Sequence, residues 1–253
     1  MKRHLMIFVT ILTVFTFSVS FAQQAEGEGA QDGAYAYHFN GGPKPEWEPV
    51  FGEWTMLNGK YTLKDIQDDK FYAAVLNKPL WPDLMLSVDV TPGQNGGHIS
   101  EAIIFPRMSG PDNGVCFWLE AKYGAFQKAG WKVYRDGMWG QPNEVIKVRT
   151  GTGKTVQVRI DVKDNIYTAY VDGSKISQIY DDTFKSSSFA ALGQWYEHRY
   201  VEDPVISFDN FLVGPWGGTM ISRIRGLREK EAEKEKPGAV EDAGKERAGH
   251  ISQ

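Results

Sequence analysis

The stretch Thr155–Tyr180, TVQVRIDVKDNIYTAYVDGSKISQIY, carries the clearest strand pattern in the chain. From Val156 to Val162 apolar and polar residues alternate, which is typical of a strand with one buried face. After a short polar turn, Ile166–Val171 forms a second run rich in Ile, Val and Tyr. Asp172-Gly173 favours a tight hairpin, and Lys175–Tyr180 returns as a third strand. This antiparallel meander needs a second layer to cover its apolar face.

The rest of the chain repeats the pattern of short strands separated by turns. The 253 residues include 8 Trp, 11 Tyr, 14 Phe and 27 Gly, a composition that suits an all-β fold with many turns. No long central window has helical periodicity, so we predict one β-sandwich or barrel. Further runs with strand character are Phe71–Leu76, Leu84–Val90, Ala102–Phe105, Val115–Leu119, Trp131–Arg135, Val145–Arg149, Phe189–Gln194 and Val205–Val213.

The two ends of the chain differ in composition from its centre. Met1–Ala22 has a charged start, an apolar run and small residues before Gln23, which predicts a cleaved secretory signal peptide. An uncleaved membrane anchor is the alternative, although the apolar run is short for a span of about 20 residues. Gln23–Ala34 is predicted to be a flexible linker. Trp216–Gln253 is predicted to be a charged tail, and the apolar residues at its start have helical spacing.

Charge and cysteine content exclude several classes of function. The formal net charge is −4 and no broad basic field is present, which argues against nucleic acid as a partner. Cys116 is the only cysteine, so neither an internal disulfide nor a cysteine-based metal site can form. An exported protein without disulfides fits a bacterial cell envelope, so we expect a secreted or periplasmic protein with no membrane span after signal cleavage.

Four short motifs follow one another along the chain: Gly52-Glu53-Trp54 with Asn58-Gly59-Lys60-Tyr61, Trp81-Pro82-Asp83-Leu84, Tyr170-Val171-Asp172-Gly173, and Phe208-Asp209-Asn210-Phe211. In this order they resemble the concanavalin A-like lectin and glucanase superfamily, in particular its laminin G-like and 3-keto-disaccharide hydrolase-like domains. The resemblance covers Tyr35–Pro215 and implies a jelly-roll sandwich of two antiparallel sheets. Members include lectins, carbohydrate-binding modules, glycoside hydrolases and adhesion domains, so the fold does not settle the function.

Aromatic residues are candidates for sugar binding, since an indole matches the apolar C–H face of a sugar ring. Trp139 is the strongest candidate, because its turn-like, glycine-flanked segment cannot bury a large ring easily, and we expect it to stack on a sugar. The alternative is that most of the aromatic rings, including Trp118, are core residues. The predicted carbohydrate-binding residues are Trp131, Tyr134, Asp136, Trp139, Gln141, Trp195 and Tyr196.

Carboxylate pairs decide between binding and catalysis, because glycosidases place two carboxyl groups across the scissile bond. Within the superfamily that this chain resembles, the family sixteen glycoside hydrolases carry an E-x-D-x-x-E motif on a single strand. This sequence lacks that motif. Other carboxylates are scattered along the chain, namely Glu101, Glu120, Asp136 and Glu144. A catalytic pair assembled from different strands is therefore still an alternative. We therefore predict an exported, non-catalytic carbohydrate-binding or adhesion module. A glycoside hydrolase or 3-keto-disaccharide hydrolase is the alternative.

The resemblance also implies a structural calcium ion, held by an aspartate of the last strand and carbonyl groups of the first. Asp209 stands at the matching place, and Asn40 with the two glycines after it could supply carbonyl oxygens. The alternative is that local backbone N–H groups satisfy the Asp209 carboxylate.

Overall fold

The computed structural model of this chain describes residues 33–39, 45–67, 70–93, 97–184, 189–197, 205–217, 220 and 222. The predicted signal peptide, most of the predicted linker and nearly all of the predicted tail lie outside these residues. Within them the chain is nearly all β and forms two curled antiparallel sheets, which confirms the predicted jelly-roll sandwich. Among these residues no helix is long and apolar enough to cross a membrane.

Sheet A is built around the predicted meander, which the structure confirms. Burial alternates along its first strand, as the sequence pattern indicates. The order across the sheet is β14-β13-β12-β6-β16-β4-β3, and β1 also pairs with β16. Its strands are β1 (Tyr35–Tyr37), β3 (Trp54–Leu57), β4 (Lys60–Leu63), β6 (Leu84–Thr91), β12 (Val156–Lys163), β13 (Ile166–Val171), β14 (Ser174–Tyr180) and β16 (Ser207–Pro215).

Sheet B contains the longest strands of the described chain, and the runs predicted near residues 71, 102, 115, 131, 145 and 189 lie in it. The order across the sheet is β10-β9-β8-β7-β15-β5-β2, and β11 also pairs with β9. Its strands are β2 (Trp47–Phe51), β5 (Phe71–Leu76), β7 (Ser100–Gly110), β8 (Asn113–Lys122), β9 (Ala125–Arg135), β10 (Met138–Trp139), β11 (Glu144–Lys147) and β15 (Phe189–Tyr196).

Tight hairpins fix the order of neighbouring strands. Asp172-Gly173 has φ values of 48° and 80° and turns β13 into β14, as predicted. Asp136-Gly137 has φ values of 51° and 75° and turns β9 into β10. Both pairs match a two-residue turn with positive φ at each position, the geometry that agrees with strand twist. The second hairpin folds the Trp139 segment back onto sheet B.

The main core lies between the sheets and is formed by the inward-facing side chains of both. At one end of it, the buried Arg107 of β7 donates a 3.0 Å hydrogen bond to Asn165 in the β12–β13 turn. The same guanidinium lies 3.9 Å from the carboxylate of Asp83. Arg107 thus links the two sheets with a hydrogen bond and a charge contact as well as by packing.

Candidate functional site

The outer face of sheet B, which points away from the main core, carries a second apolar cluster. All of its members come from sheet B itself, so this cluster is not part of the packing between the sheets. An outward sheet face is normally polar, whereas this cluster is apolar and its buried members are almost fully covered. Its buried members are Ile103, Phe105, Met108, Cys116, Trp118, Tyr134 and Ala191, and Phe71, Val75, Trp139, Phe189 and Trp195 pack against them half-buried.

A line of side chains crosses this face from strand to strand, and we call it the transverse row. Residues directly opposite each other in antiparallel strands project from the same face, so the register pairs give the neighbours. The row sets two lysines, two glutamates and two aromatic rings side by side. From β11 through β9, β8, β7 and β15 to β5, its members are Lys147, Lys128, Glu120, Glu101, Trp195 and Phe71.

The two glutamates of the transverse row are adjacent and nearly buried, with Glu101 9% and Glu120 8% exposed. The ammonium group of Lys132 lies 2.8 Å from both carboxylate oxygens of Glu101, and that of Lys128 lies 2.9 Å from Glu120. Burial raises the pKa of Glu101, and the neighbouring Glu120 adds to this, while Lys132 opposes it. Each carboxylate is therefore partnered by one lysine.

Aromatic rings surround these charges. The Lys132 ammonium lies 4.5 Å from the ring centroid of Trp118 and 5.8 Å from that of Trp139, in the range of cation–π contacts. The indole N–H of Trp118 has no acceptor among the described residues. Charged hydrogen-bonding groups fixed beside planar apolar rings can bind a ligand that has both hydroxyl groups and apolar faces.

Trp139 is half-buried, whereas the sequence predicted a ring projecting into solvent. Its centroid lies 4.5 Å from that of Tyr134, 5.1 Å from Phe71 and 6.2 Å from Phe105. The reason is the Asp136-Gly137 hairpin, which pairs Trp139 with Tyr134 in register. Trp139 is thus one ring of an aromatic group on the outer face of sheet B.

Several of the predicted carbohydrate-binding residues meet on this face, and others do not. Tyr134, Trp139 and Trp195 belong to the outer cluster. Trp131 and Tyr196 are 0% exposed and belong to the core between the sheets, so we leave them out of the candidate site.

Strand alternation explains this division. Trp131 is an odd number of positions from Tyr134, and Tyr196 directly follows Trp195, so each pair points to opposite faces. The Trp131 indole donates a 3.1 Å hydrogen bond to the Ser177 hydroxyl in sheet A. Inside the sandwich, both rings are therefore structural.

Asp136 and Gln141 are exposed at the rim of the outer face. Asp136 occupies the turn between β9 and β10, where its backbone N–H donates a 3.1 Å hydrogen bond to the Asn113 side chain. Gln141 follows β10. Their predicted contacts with sugar hydroxyl groups stay a prediction.

Sequence reasoning missed the charged centre of the site: Glu101, Glu120, Lys128 and Lys132 were not predicted as binding residues. The glutamates come from neighbouring strands, and their adjacency depends on the register between β7 and β8. The usable signal was alternation, since Trp118 and Glu120 lie two positions apart on β8 and therefore share a face.

The predicted calcium site is only partly within the described residues. Asn40 lies outside them, as do residues 41–44. One Asp209 carboxylate oxygen accepts backbone N–H bonds from Asn210 at 2.8 Å and from Phe39 at 3.3 Å. Across the described ranges there is no group of three or more His, Cys, Asp or Glu side chains able to hold a metal. Calcium binding by Asp209 and Asn40 stays a prediction.

Sequence comparison identifies no relative. No protein-family model matches the chain. No curated protein matches it significantly.

Comparison with solved structures finds the same architecture in carbohydrate-related proteins. The carbohydrate-binding module CBM66 from Bacillus subtilis is 15% identical with a TM-score of 0.53, over 67% of this chain and 95% of that one. The Bacillus licheniformis β-glucanase is 14% identical with a TM-score of 0.52, over 74% of this chain and 100% of that one. The Crh5 transglycosylase in complex with NAG is 11% identical with a TM-score of 0.55, over 73% and 85%. The chain therefore has the concanavalin A-like jelly-roll fold that its sequence motifs predict.

Proposed function

We propose that this chain is an exported carbohydrate-binding module whose ligand lies on the outer face of sheet B, along the transverse row. One observation carries the proposal: the row places the lysine-held Glu120 and Glu101 next to the half-buried ring of Trp195, and the half-buried Trp139 lies on the same face. Sugar sites combine aromatic surfaces for ring stacking with a few fixed polar groups for hydroxyl recognition. Export is supported by the signal-peptide pattern of Met1–Ala22.

The missing E-x-D-x-x-E motif favours binding over catalysis. A glycosidase needs one carboxyl group that carries a proton as the general acid. In this site both oxygens of Glu101 contact the Lys132 ammonium at 2.8 Å, and Glu120 contacts Lys128 at 2.9 Å. The lysine contacts hold both carboxyl groups in place, where their oxygens can accept hydrogen bonds from sugar hydroxyl groups. Burial raises the pKa of Glu101, a property that a general acid also needs.

Glycoside hydrolysis is the second candidate, and the register of Glu101 opposite Glu120 is the observation that favours it. Opposite residues in antiparallel strands have Cβ atoms about 4.5 to 5.5 Å apart. Glutamate side chains that start from such positions can reach the separation of about 5 to 5.5 Å at which retaining glycosidases hold their two carboxyl groups. The structurally similar proteins include a binding module and a glucanase, so they support carbohydrate as the ligand class without choosing between the two functions.

A polysaccharide panel tests the proposal, with pull-down and release of reducing ends measured on the same samples. We expect binding to at least one polysaccharide without turnover. Glu101→Gln and Glu120→Gln should weaken that binding, whereas Glu53→Gln, in an exposed ion pair with Lys64, should not. Turnover that both site substitutions abolish would establish the hydrolase instead. Absence of binding across the panel would reject carbohydrate recognition.

A further inference from the structure

The transverse row ends at a basic cleft on the β9–β11 edge of sheet B. We propose that this cleft binds an anionic group on the carbohydrate ligand, either the carboxylate of a uronic acid or a sulfate ester. The inference rests on the proposed function and names its ligand class: an acidic polysaccharide. The cleft has a volume of about 400 Å³ and is lined by Ala125, Phe126, Gln127, Lys128, Lys147, Arg149 and Thr150.

Positive charge is concentrated in this cleft beyond what the protein itself neutralises. Lys147 stands directly opposite Lys128 in the pairing of β11 with β9. Like charges in that arrangement destabilise a sheet, so an anion placed between them is favourable. Lys128 has Glu120 as its partner at 2.9 Å, whereas the exposed Lys147 and Arg149 form no ion pair with any described residue.

The backbone around the cleft is held in place before any ligand arrives. Val148 donates a 2.9 Å hydrogen bond to the Gln127 carbonyl, and Thr150 donates one of 3.2 Å to Phe126. The Thr150 hydroxyl accepts a 2.9 Å bond from the Phe126 N–H in return. Arg149 therefore lies on a segment that is tied down on both sides. A cation on a fixed backbone loses less backbone entropy on binding than one on a free loop.

The cleft and the aromatic part of the transverse row can contact one ligand. From Lys147 on β11 to Trp195 on β15 the row crosses four strand spacings, roughly 19 Å at about 4.8 Å each. That length suits an oligosaccharide and not a single sugar. The whole chain has a formal net charge of −4, so attraction of a polyanion must come from a local patch such as this one.

The test compares matched acidic and neutral ligands on the full mature chain. One pair is oligogalacturonide and its methyl ester, and the other is sulfated dextran and dextran. The site variant is Lys147→Gln/Arg149→Gln. The charge-matched control is Lys163→Gln/Lys175→Gln, which removes two exposed lysines from sheet A. Isothermal titration at low and raised salt gives the affinities.

We expect the wild-type chain to bind at least one acidic ligand more tightly than its neutral counterpart, with an affinity that falls as salt rises. The site variant should lose about five- to tenfold in affinity for the acidic ligand, and the control variant should not. The ligand pair that responds distinguishes a carboxylate from a sulfate. Equal affinity for acidic and neutral forms, or equal losses in site and control variants, overturns the inference. If neutral glycans bind and depend on Trp195 alone, the inference fails while the proposed function stands; if no ligand binds, both fail.

Discussion

At the scale of single residues, Trp139 shows how a local pattern can misjudge the surroundings of a side chain. The turn signal placed the ring on a loop, yet the structure packs it against Tyr134 and Phe71. The inner rings of this aromatic group support the sheet, and we propose that its half-buried rings contact the ligand.

Trp139→Ala is expected to reduce glycan affinity by roughly 1 to 3 kcal/mol, as for loss of an aromatic hot spot. It should also lower the free energy of unfolding by about 1 to 2 kcal/mol, because contacts with neighbouring rings are lost. Trp139→Phe should recover most of the stability. Calorimetric titration and urea unfolding measure the two effects. A stability loss near 3 to 5 kcal/mol with unchanged affinity would mean that Trp139 is a packing residue only.

Glu101 gives a pH dependence whose sign follows from its environment. Burial raises its pKa in the folded chain, so the folded state holds this proton more tightly than the unfolded state does. Its stabilising contribution is fully present below the ordinary glutamate pKa and is lost as pH rises through the raised pKa. The stability of the wild type relative to Glu101→Gln should therefore fall across that acidic range. Urea unfolding at a series of pH values measures it, and a difference that grew with pH would show that Lys132 outweighs burial.

At the scale of elements, the attachment of β11 to β9 shapes the basic cleft. Gly130 on β9 faces β11, where an added Cβ would overlap the carbonyl oxygen of Glu144. The same Cβ would lie 3.2 Å from the indole nitrogen of Trp118. A glycine at this position thus lets β11 and the outer aromatic group approach each other.

Gly130→Ala should force β11 away from β9 and cost about 1 to 3 kcal/mol of stability, as overpacking usually does. Because β11 carries Lys147, binding of acidic ligands should fall as well. Gly110→Ala is the matched control, since a Cβ there meets nothing within 4 Å. Thermal or urea unfolding measures the stability of both variants. Equal stability of the two would contradict the proposed contact.

The sequence predicted many elements well, because turn residues and alternation are local signals. Asp172-Gly173 and the alternating Val156–Val162 define the meander without information from elsewhere in the chain.

The register between β7 and β8 could not be predicted from local signals. Counting back from the turn without irregularities would place Glu101 opposite Lys122. Two register shifts, at Ile104/Arg107 and at Met108/Gly110, bring Glu120 there instead. No local sequence signal predicts these register shifts, and the charged centre of the site depends on them.

At the scale of the whole molecule, the two faces of sheet B have different surroundings. Its inner face packs on sheet A, where Trp131 and Tyr196 serve as core residues. Its outer face keeps a second apolar cluster, crossed by the charges of the transverse row. Alternation along the strands separates the two roles residue by residue. The same separation identifies which aromatic substitutions should affect binding and which should affect folding.

The most direct measurement of the central claim is the glycan affinity of Trp195→Ala beside that of Trp216→Ala. Both remove a partly exposed tryptophan, and Trp216 lies outside sheet B, just after β16. On a ligand found in the panel, Trp195→Ala should weaken binding by roughly 1 to 3 kcal/mol, about five- to 150-fold, while Trp216→Ala should leave it unchanged. Undiminished binding by a folded Trp195→Ala, or an equal loss in both variants, would contradict the placement of the ligand on the outer face of sheet B.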